Sequence, residues 1–143
     1  MNLERFETQH NKILRGIGEL RRLSQQGIAS NAIAIARALV ELSATIKLHL
    51  AAEDRMLYPT ARRDGDPELA RMAQRYQNDM GPIATDFDAF ARRWNTAAPL
   101  RTQPEDFRRE ANAVLRMVWE RMHRENREFY PRMQAMQGME SAA

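Results

Sequence analysis

The chain has 143 residues, a net charge of +3 and no cysteine, and this length fits one domain with a single hydrophobic core. Without cysteine, the chain forms no disulfide, zinc–thiolate site or iron–sulfur cluster and carries no cysteine nucleophile. No apolar run reaches the roughly 20 residues of a membrane span, and the first residues lack the basic-then-apolar pattern of a secretory signal. The sequence therefore predicts a cytoplasmic protein without a membrane partner.

The basic charge is almost all arginine, and it is spread along the chain among nearly as many acidic residues. This distribution is more typical of solvated helix faces than of a phosphate-binding surface. We therefore predict no nucleic-acid partner. Adjacent arginines form four separate pairs rather than one block: Arg21-Arg22, Arg62-Arg63, Arg92-Arg93 and Arg108-Arg109.

Glycine and proline divide the chain into four long segments. Gly27 separates the first segment from the second. Before the third segment, Asp66 has the position of an N-cap and Pro67 that of the first helical residue. Thr102 and Glu105 have the spacing of a capping box at the start of the fourth segment. Each segment is long enough for several helical turns.

Each segment carries one apolar stripe in which the spacing alternates between three and four residues, and no segment alternates with period two. This pattern predicts an all-α fold, an up-down-up-down four-helix bundle with left-handed packing. We assign residues 1–137 to one domain and expect residues 138–143 to be a disordered tail. The stripes are Phe6, His10, Ile13, Ile17 and Leu20; Ile35, Leu39, Leu42, Ile46, His49, Glu53 and Met56; Leu69, Ala73, Tyr76, Met80, Ile83, Phe87, Phe90 and Trp94; and Ala111, Leu115, Val118, Met122, Glu125 and Phe129.

Four polar residues lie on the faces predicted to be buried: His10, His49, Glu53 and Glu125. A buried carboxylate costs several kcal/mol unless it is paired or bound to a metal. His49 and Glu53 are four residues apart, so they share one face of a helix and can reach a common ion. Nitrogen and oxygen ligands together suit iron, manganese or zinc. Bundles commonly hold metals with side chains that project inward from facing helices.

Each of these residues also has an ordinary structural explanation. His10 alone would most often be a hydrogen-bonded core histidine, and Glu125 alone would be part of a salt bridge at the end of the core. The coincidence of two histidines and two carboxylates from three helices favours a metal site. The third histidine, His123, lies about 120° or more from the inward stripe of its helix and is predicted to be exposed.

The chain also contains an internal repeat. Glu53-Asp54-Arg55-Met56-Leu57-Tyr58-Pro59 is echoed by Glu125-Asn126-Arg127-Glu128-Phe129-Tyr130-Pro131. Likewise, His10-Asn11-Lys12-Ile13 is echoed by Gln77-Asn78-Asp79-Met80. The chain therefore resembles two copies of a helix pair, packed into one bundle around a pseudo-twofold axis.

These motifs resemble the hemerythrin-like (HHE cation-binding) family from His10 to Pro131. The most specific part is His49-x-x-x-Glu53-Asp54 followed by Leu57-Tyr58-Pro59. The resemblance implies a four-helix bundle that holds two non-haem irons, bridged by the two carboxylates. It also implies a site for oxygen or a related small molecule, and some members of the family sense oxygen or nitric oxide.

The sequence departs from the family pattern in its second half. Gln77 stands where the family usually has a histidine in the third helix, and Arg121 replaces the histidine four residues before Glu125. By this resemblance, one iron position keeps His10, His49 and the two carboxylates, and the other has lost its histidines.

Three arrangements could account for these buried polar residues. In the first, His10, His49, Glu53 and Glu125 hold a single metal. In the second, Arg121 takes the place of the missing ion and pairs with the carboxylates, which is compatible with the first. In the third, no metal binds and the polar cluster is a hydrogen-bonded remnant. We favour a single metal with Arg121 beside it.

The sequence therefore predicts a non-haem protein with one iron per chain, or with zinc or manganese, that binds or senses oxygen, nitric oxide or another small diatomic ligand. We find no nucleophile paired with a base, no phosphate-binding loop and no dinucleotide motif, so the sequence gives no indication of a conventional transferase or hydrolase. The alternative is a metal-free helical interaction module. In either case we expect a monomer or a homodimer. Met133, Met136 and Met139 would give the interaction module an adaptable apolar surface.

Overall fold

Helices account for nearly all of residues 2–142, the part of the chain that the structure, a computed structural model, describes. Side chains are described as far as residue 139. Two five-residue π-helical turns, Glu53–Leu57 and Glu125–Phe129, are continuous with the α-helices on either side of them. The α-helices are α1 (Leu3–Gln25), α2 (Ala32–Ala52), α3 (Tyr58–Asp64), α4 (Pro67–Trp94), α5 (Ala97–Thr102), α6 (Pro104–Arg124) and α7 (Tyr130–Ala142).

Four helical rods form the bundle. They are α1, α2 with α3, α4, and α6 with α7, and the short α5 connects the last two rods. Helix α1 packs against α2 and α6, and α4 packs against α3 and α6. The predicted all-α four-helix bundle is therefore confirmed. Among the described residues, no helix has the length and apolar character needed to cross a membrane.

The breaks between rods follow the predicted punctuation, with one exception. Gly27, two residues after the end of α1, has a φ of 120°, a value that favours glycine. The Asp66 side chain accepts a hydrogen bond from the Leu69 N–H at 2.8 Å and caps α4. The capping box predicted from Thr102 is wrong, because this residue ends α5 and its hydroxyl donates to the Ala98 carbonyl at 3.2 Å.

The predicted inner faces form two apolar clusters, one toward each end of the bundle. Except for partly covered Ile83 and exposed Met56, every stripe residue named above is buried. The larger cluster is centred on α1, α2, α4 and α6, and the smaller one joins the start of α1 to α3, the first half of α4 and α7. The polar residues of the stripes lie between them.

Met56 is a corrected prediction. The α-helical period placed it on the inner face, but 41% of its surface is exposed and the next residue, Leu57, is fully buried. The Tyr58 N–H bonds to the Glu53 carbonyl, five residues back, so the π turn contains one residue more than the α-helical period allows. That extra residue moves the inner face from Met56 to Leu57.

The C-terminal methionines do not form one surface. Met133 is fully buried, whereas Met139 is 74% exposed and lines a groove beside α3 and α4. Helix α7 continues through Gly138 to Ala142. The tail predicted for residues 138–143 falls partly outside the described residues, and the domain bounds stay a prediction.

Candidate metal centre

Four buried side chains from different parts of the bundle meet between the two apolar clusters. They are His10 from α1, His49 from α2, Glu53 from the first π turn and Glu125 from the second. One nitrogen or oxygen atom of each lies within 4.8 Å of the corresponding atoms of the others. None of the four side chains is exposed to solvent. These are the four residues for which the sequence predicts a metal site.

Both carboxylates stand at the first position of a π turn, and each turn is followed by Tyr-Pro. Proline has no N–H, so it cannot continue the hydrogen-bond ladder of an α-helix. In each copy of the repeat, the tyrosine N–H bonds five residues back to the glutamate carbonyl. The repeat read from the sequence is therefore also a repeat of backbone structure. Local π turns of this kind are frequent at functional sites.

Side-chain amides fix the orientation of both imidazole rings. The Nδ1–H of His10 donates to the Oδ1 of Asn126 at 2.8 Å, and the Nδ1–H of His49 donates to the Oε1 of Gln9 at 2.8 Å. An amide oxygen only accepts hydrogen bonds, so Nδ1 carries the proton in each ring. Each Nε2 then presents a lone pair to the cluster. Metal-binding histidines are commonly oriented in this way.

Three inward-facing atoms have no hydrogen-bond partner although they are buried: His49 Nε2, Glu53 Oε1 and Glu125 Oε2. The first two are only 3.1 Å apart, and Glu125 Oε2 lies 3.6 Å from His10 Nε2. A nitrogen lone pair that faces a carboxylate oxygen at this distance is repulsive unless a cation or a proton lies between them. The unpaired atoms therefore fit a bound cation.

Burial keeps both histidines neutral. It lowers the pKa of His10 and that of His49 from 6.5 to about 4, which outweighs the opposite effect of the Glu125 carboxylate. Histidine binds metals through a neutral imidazole nitrogen. The two rings are thus in the ligand form at neutral pH without prior loss of a proton.

The two carboxyl groups are coupled. Burial raises the pKa of Glu53 above its ordinary value. Burial, followed by repulsion from Glu53, raises the pKa of Glu125 to about 8, and the nearby Arg121 offsets this only in part. Each carboxyl group affects the titration of the other, so the two titrate as a coupled pair, and the raised pKa values favour one bound proton on the pair at neutral pH.

Arg121 occupies the opposite side of Glu125. Its side chain is 2% exposed, and its Nε donates to Glu125 Oε1 at 2.7 Å. The guanidinium also donates from Nη2 to the Tyr58 hydroxyl at 3.0 Å and to the Tyr76 carbonyl. Its Cζ atom lies 4.4 Å from the centre of the Tyr76 ring, as in a cation–π contact. One oxygen of Glu125 therefore faces the guanidinium and the other faces the two histidines.

Two tyrosines at equivalent positions of the repeat serve opposite sides of the cluster. The Tyr130 hydroxyl donates to His10 Nε2 at 2.8 Å and is 3.4 Å from Glu53 Oε2. The Tyr58 hydroxyl instead accepts from Arg121. Burial raises the pKa of both phenols above the ordinary value, so both keep their proton. Tyr130 belongs to the histidine side and Tyr58 to the arginine side.

Gln77 and His123 are not members of the cluster. Gln77 accepts a hydrogen bond from Arg62 and donates to Asp54 at 3.3 Å, while the preceding residue, Tyr76, has the inward position next to Arg121. His123 packs against Trp119 with 4.1 Å between ring centres and is partly covered rather than fully exposed. The helical phase therefore excludes His123 from the site, as the sequence predicts.

Sequence reasoning missed several residues that hold the ligands. Asn126 and Tyr130 both lie in the second copy of the repeat, beside the predicted Glu125. The repeat could therefore have indicated that they are near the site. Tyr76 was identified as a core residue but not as a partner of Arg121. Gln9 had no signal, because it precedes His10 on the edge of the apolar stripe.

The charges of the cluster bear on how many divalent ions it could hold. Two ionised carboxylates and one guanidinium give the cluster a charge of −1, and one proton bound by the carboxyl pair makes it neutral. A divalent ion that displaces this proton leaves +1, whereas two such ions would leave +3 beside a fixed arginine. A buried excess of three positive charges is strongly unfavourable.

The bundle and its buried histidine–carboxylate cluster define a helical protein with a site for a metal cation. The family model of the hemerythrin HHE cation-binding domain matches residues 1–133. The chain therefore belongs to the hemerythrin HHE cation-binding family. Neither curated proteins nor solved structures gave a significant match.

Proposed function

We propose that this chain is a cytoplasmic non-haem metal protein with one divalent cation per chain, held by His10, His49, Glu53 and Glu125. Three inward atoms without a hydrogen-bond partner, His49 Nε2 and one oxygen of each glutamate, are the observation that carries the proposal. All three belong to neutral imidazole or carboxylate groups that could ligate one ion. Two nitrogens and two oxygens suit iron, with zinc or manganese as alternatives.

Arg121 is the reason for proposing one metal rather than two. Its guanidinium neutralises Glu125 from the side away from the histidines, at 2.7 Å. A second cation there would be repelled by the guanidinium. The guanidinium cannot move out to solvent, because Arg121 is buried and is also held by Tyr58 and Tyr76. In this proposal, the positive charge of Arg121 substitutes for the second iron that the family resemblance implies.

We further propose that the site binds a small diatomic ligand such as oxygen or nitric oxide. A ferrous ion with four protein ligands supplies a redox-active centre with open positions for such a ligand. The protein supplies a dry, apolar surrounding on both sides of the cluster. The Tyr130 hydroxyl, next to His10 Nε2, is a hydrogen-bond donor for a polar ligand.

Metal content per chain tests the first part of the proposal. The protein is purified without a metal-affinity tag, incubated anaerobically with ferrous iron, freed of excess metal and analysed for elements. We expect about one iron per chain, and we expect His49→Ala to lose it. His123→Ala is the matched control, because it removes a histidine outside the cluster and should leave the iron content unchanged.

Other metal contents would lead to different conclusions. Two ions per chain would contradict the role given to Arg121. If folded protein binds none, the polar cluster is a remnant and the metal-free interaction module is the better description.

Ligand binding is tested separately by optical spectroscopy. Nitric oxide added anaerobically to the ferrous protein should change its visible absorption, and the same addition to the zinc-loaded protein should not. A ferrous protein with one iron per chain and no response would overturn the diatomic ligand but leave the metal site intact.

A further inference from the structure

A surface groove lies directly outside the histidine side of the cluster. It has a volume of about 260 Å³ and runs between α1 and α7. Gln134 donates a hydrogen bond to Glu7 at 2.7 Å across its outer edge. The groove is lined by Glu7, Asn11, Asn126, Tyr130, Pro131 and Gln134.

Two residues of this groove also contact His10, and they do so at both of its ring nitrogens. Asn126 accepts from Nδ1, and the Tyr130 hydroxyl donates to Nε2. His10 itself is fully buried. One layer of side chains, Asn126 and Tyr130, therefore separates the groove from the cluster.

The Tyr130 hydroxyl occupies the lone pair that His10 would offer to a metal. It is 2.8 Å from His10 Nε2 and 3.4 Å from Glu53 Oε2. One hydroxyl proton serves one strong acceptor at a time. When His10 binds a cation, the Tyr130 hydroxyl can no longer donate its proton to Nε2. Glu53 Oε2 is the other acceptor already within reach.

The backbone near Tyr130 favours such a movement. Tyr130 directly follows the π turn and directly precedes Pro131, which supplies no N–H. The helix therefore has fewer regular i→i+4 hydrogen bonds here than elsewhere in α7. A small displacement of Tyr130 would open the wall between groove and cluster without unfolding a complete helix.

We infer that the groove between α1 and α7 is the route by which metal ions reach the cluster, with Tyr130 as its gate. In the closed state, the hydroxyl holds His10 Nε2. In the open and metal-bound state, it donates to Glu53 Oε2. The inference rests on the proposed metal site, and it adds a path and a positioning residue to it.

The rate of cobalt(II) uptake tests the route, because bound cobalt is followed by its visible absorption in a stopped-flow instrument. Asn11→Trp places a large ring in the groove and should slow uptake several-fold without changing the final cobalt content. Arg15→Trp is the matched control, one turn further along the exposed face of α1 and in the separate groove toward α2. It should leave the rate unchanged.

Tyr130→Phe tests the gate. The loss of one hydrogen bond that competes at His10 should speed uptake roughly 2- to 10-fold. His123→Ala is its control, because it removes a side chain that lies outside the cluster and outside the groove, so uptake should stay at the wild-type rate.

The outcomes separate this inference from the proposed function. Cobalt bound at one per chain, with equal rates in the wild type, Asn11→Trp and Tyr130→Phe, would overturn the route and the gate but not the site. Wild-type protein that binds no cobalt, iron or zinc would overturn both. A slow Asn11→Trp variant would support the route even if Tyr130→Phe fails to fold.

Discussion

Arg121 and Glu125 form an ion pair at the centre of the bundle, with 2.7 Å between Nε and Oε1 and almost no exposed surface on either side chain. One helical turn earlier, Arg116 and Glu120 form the same i,i+4 pair at 3.4 Å on the exposed face of α6. The chain thus contains a buried and an exposed version of one interaction. Loss of one partner should have very different consequences at the two positions.

We expect Arg121→Ala to destabilise the metal-free protein by about 3–5 kcal/mol, because it leaves the one negative charge of the buried Glu53–Glu125 pair without its compensating charge. Arg116→Ala, the exposed control, should change the free energy of unfolding by less than about 0.5 kcal/mol. Urea unfolding followed by circular dichroism measures both. Similar effects for the two variants would mean that Arg121 does not compensate Glu125.

Arg121→Gln should increase the stabilisation that a bound metal gives. The variant removes a positive charge near the cation, so the charge of the loaded site falls from +1 toward neutrality. We expect the difference in melting temperature between zinc-loaded and metal-free protein to be larger in Arg121→Gln than in the wild type. A smaller difference would show that the guanidinium favours the cation, for example by orienting Glu125.

The sequence predicted the four clustered residues because burial is periodic and polar exceptions stand out. His10 and His49 lie on regular α-helices, where a 3.6-residue period assigns the buried face without ambiguity. Glu53 and Glu125 were found because each opens its π turn and still follows the period of the helix before it.

What the sequence missed has a physical cause as well. The π turn shifts every later residue by about one position, and this is why Leu57 rather than Met56 is buried. Hydrogen bonds between distant elements leave no periodic signal, so the contact of Gln9 with His49, 40 residues apart, was invisible. Which side of Glu125 the Arg121 guanidinium occupies likewise depends on packing across the bundle.

The amides that orient the histidines should control metal affinity. Asn126→Ala and Gln9→Ala each remove the acceptor for an imidazole Nδ1–H, which frees the ring to rotate or change tautomer. We expect each variant to weaken zinc binding about 10- to 100-fold, measured by competition with a chromophoric chelator. Gln25→Ala, on the exposed end of α1, is the control and should bind zinc as the wild type does. Equal affinities in all four proteins would contradict the assigned orientation.

The pH dependence of the metal-free protein should reveal the buried Glu125. Its pKa is about 8 in the folded state against an ordinary 4.5. In the folded chain, Glu125 therefore keeps its proton to a higher pH than in the unfolded chain. Its contribution to the free energy of unfolding is lost as the pH rises toward 8. His10 and His49, with pKa values of about 4, act in the opposite direction, but only below their ordinary value of 6.5.

Above pH 6.5 the carboxyl effect is thus unopposed by these histidines. We expect the free energy of unfolding of the metal-free protein to fall by about 2 kcal/mol between pH 6.5 and 8, at about 1.4 kcal/mol for each pH unit. Glu125→Gln removes the titrating group and should flatten this slope in urea unfolding at the same pH values. The zinc-loaded protein should not share the decline, because the metal replaces the proton and binds more tightly as the pH rises. A metal-free wild type as stable at pH 8 as at pH 6.5 would mean that Glu125 is ionised throughout, with Arg121 as its full counter-charge.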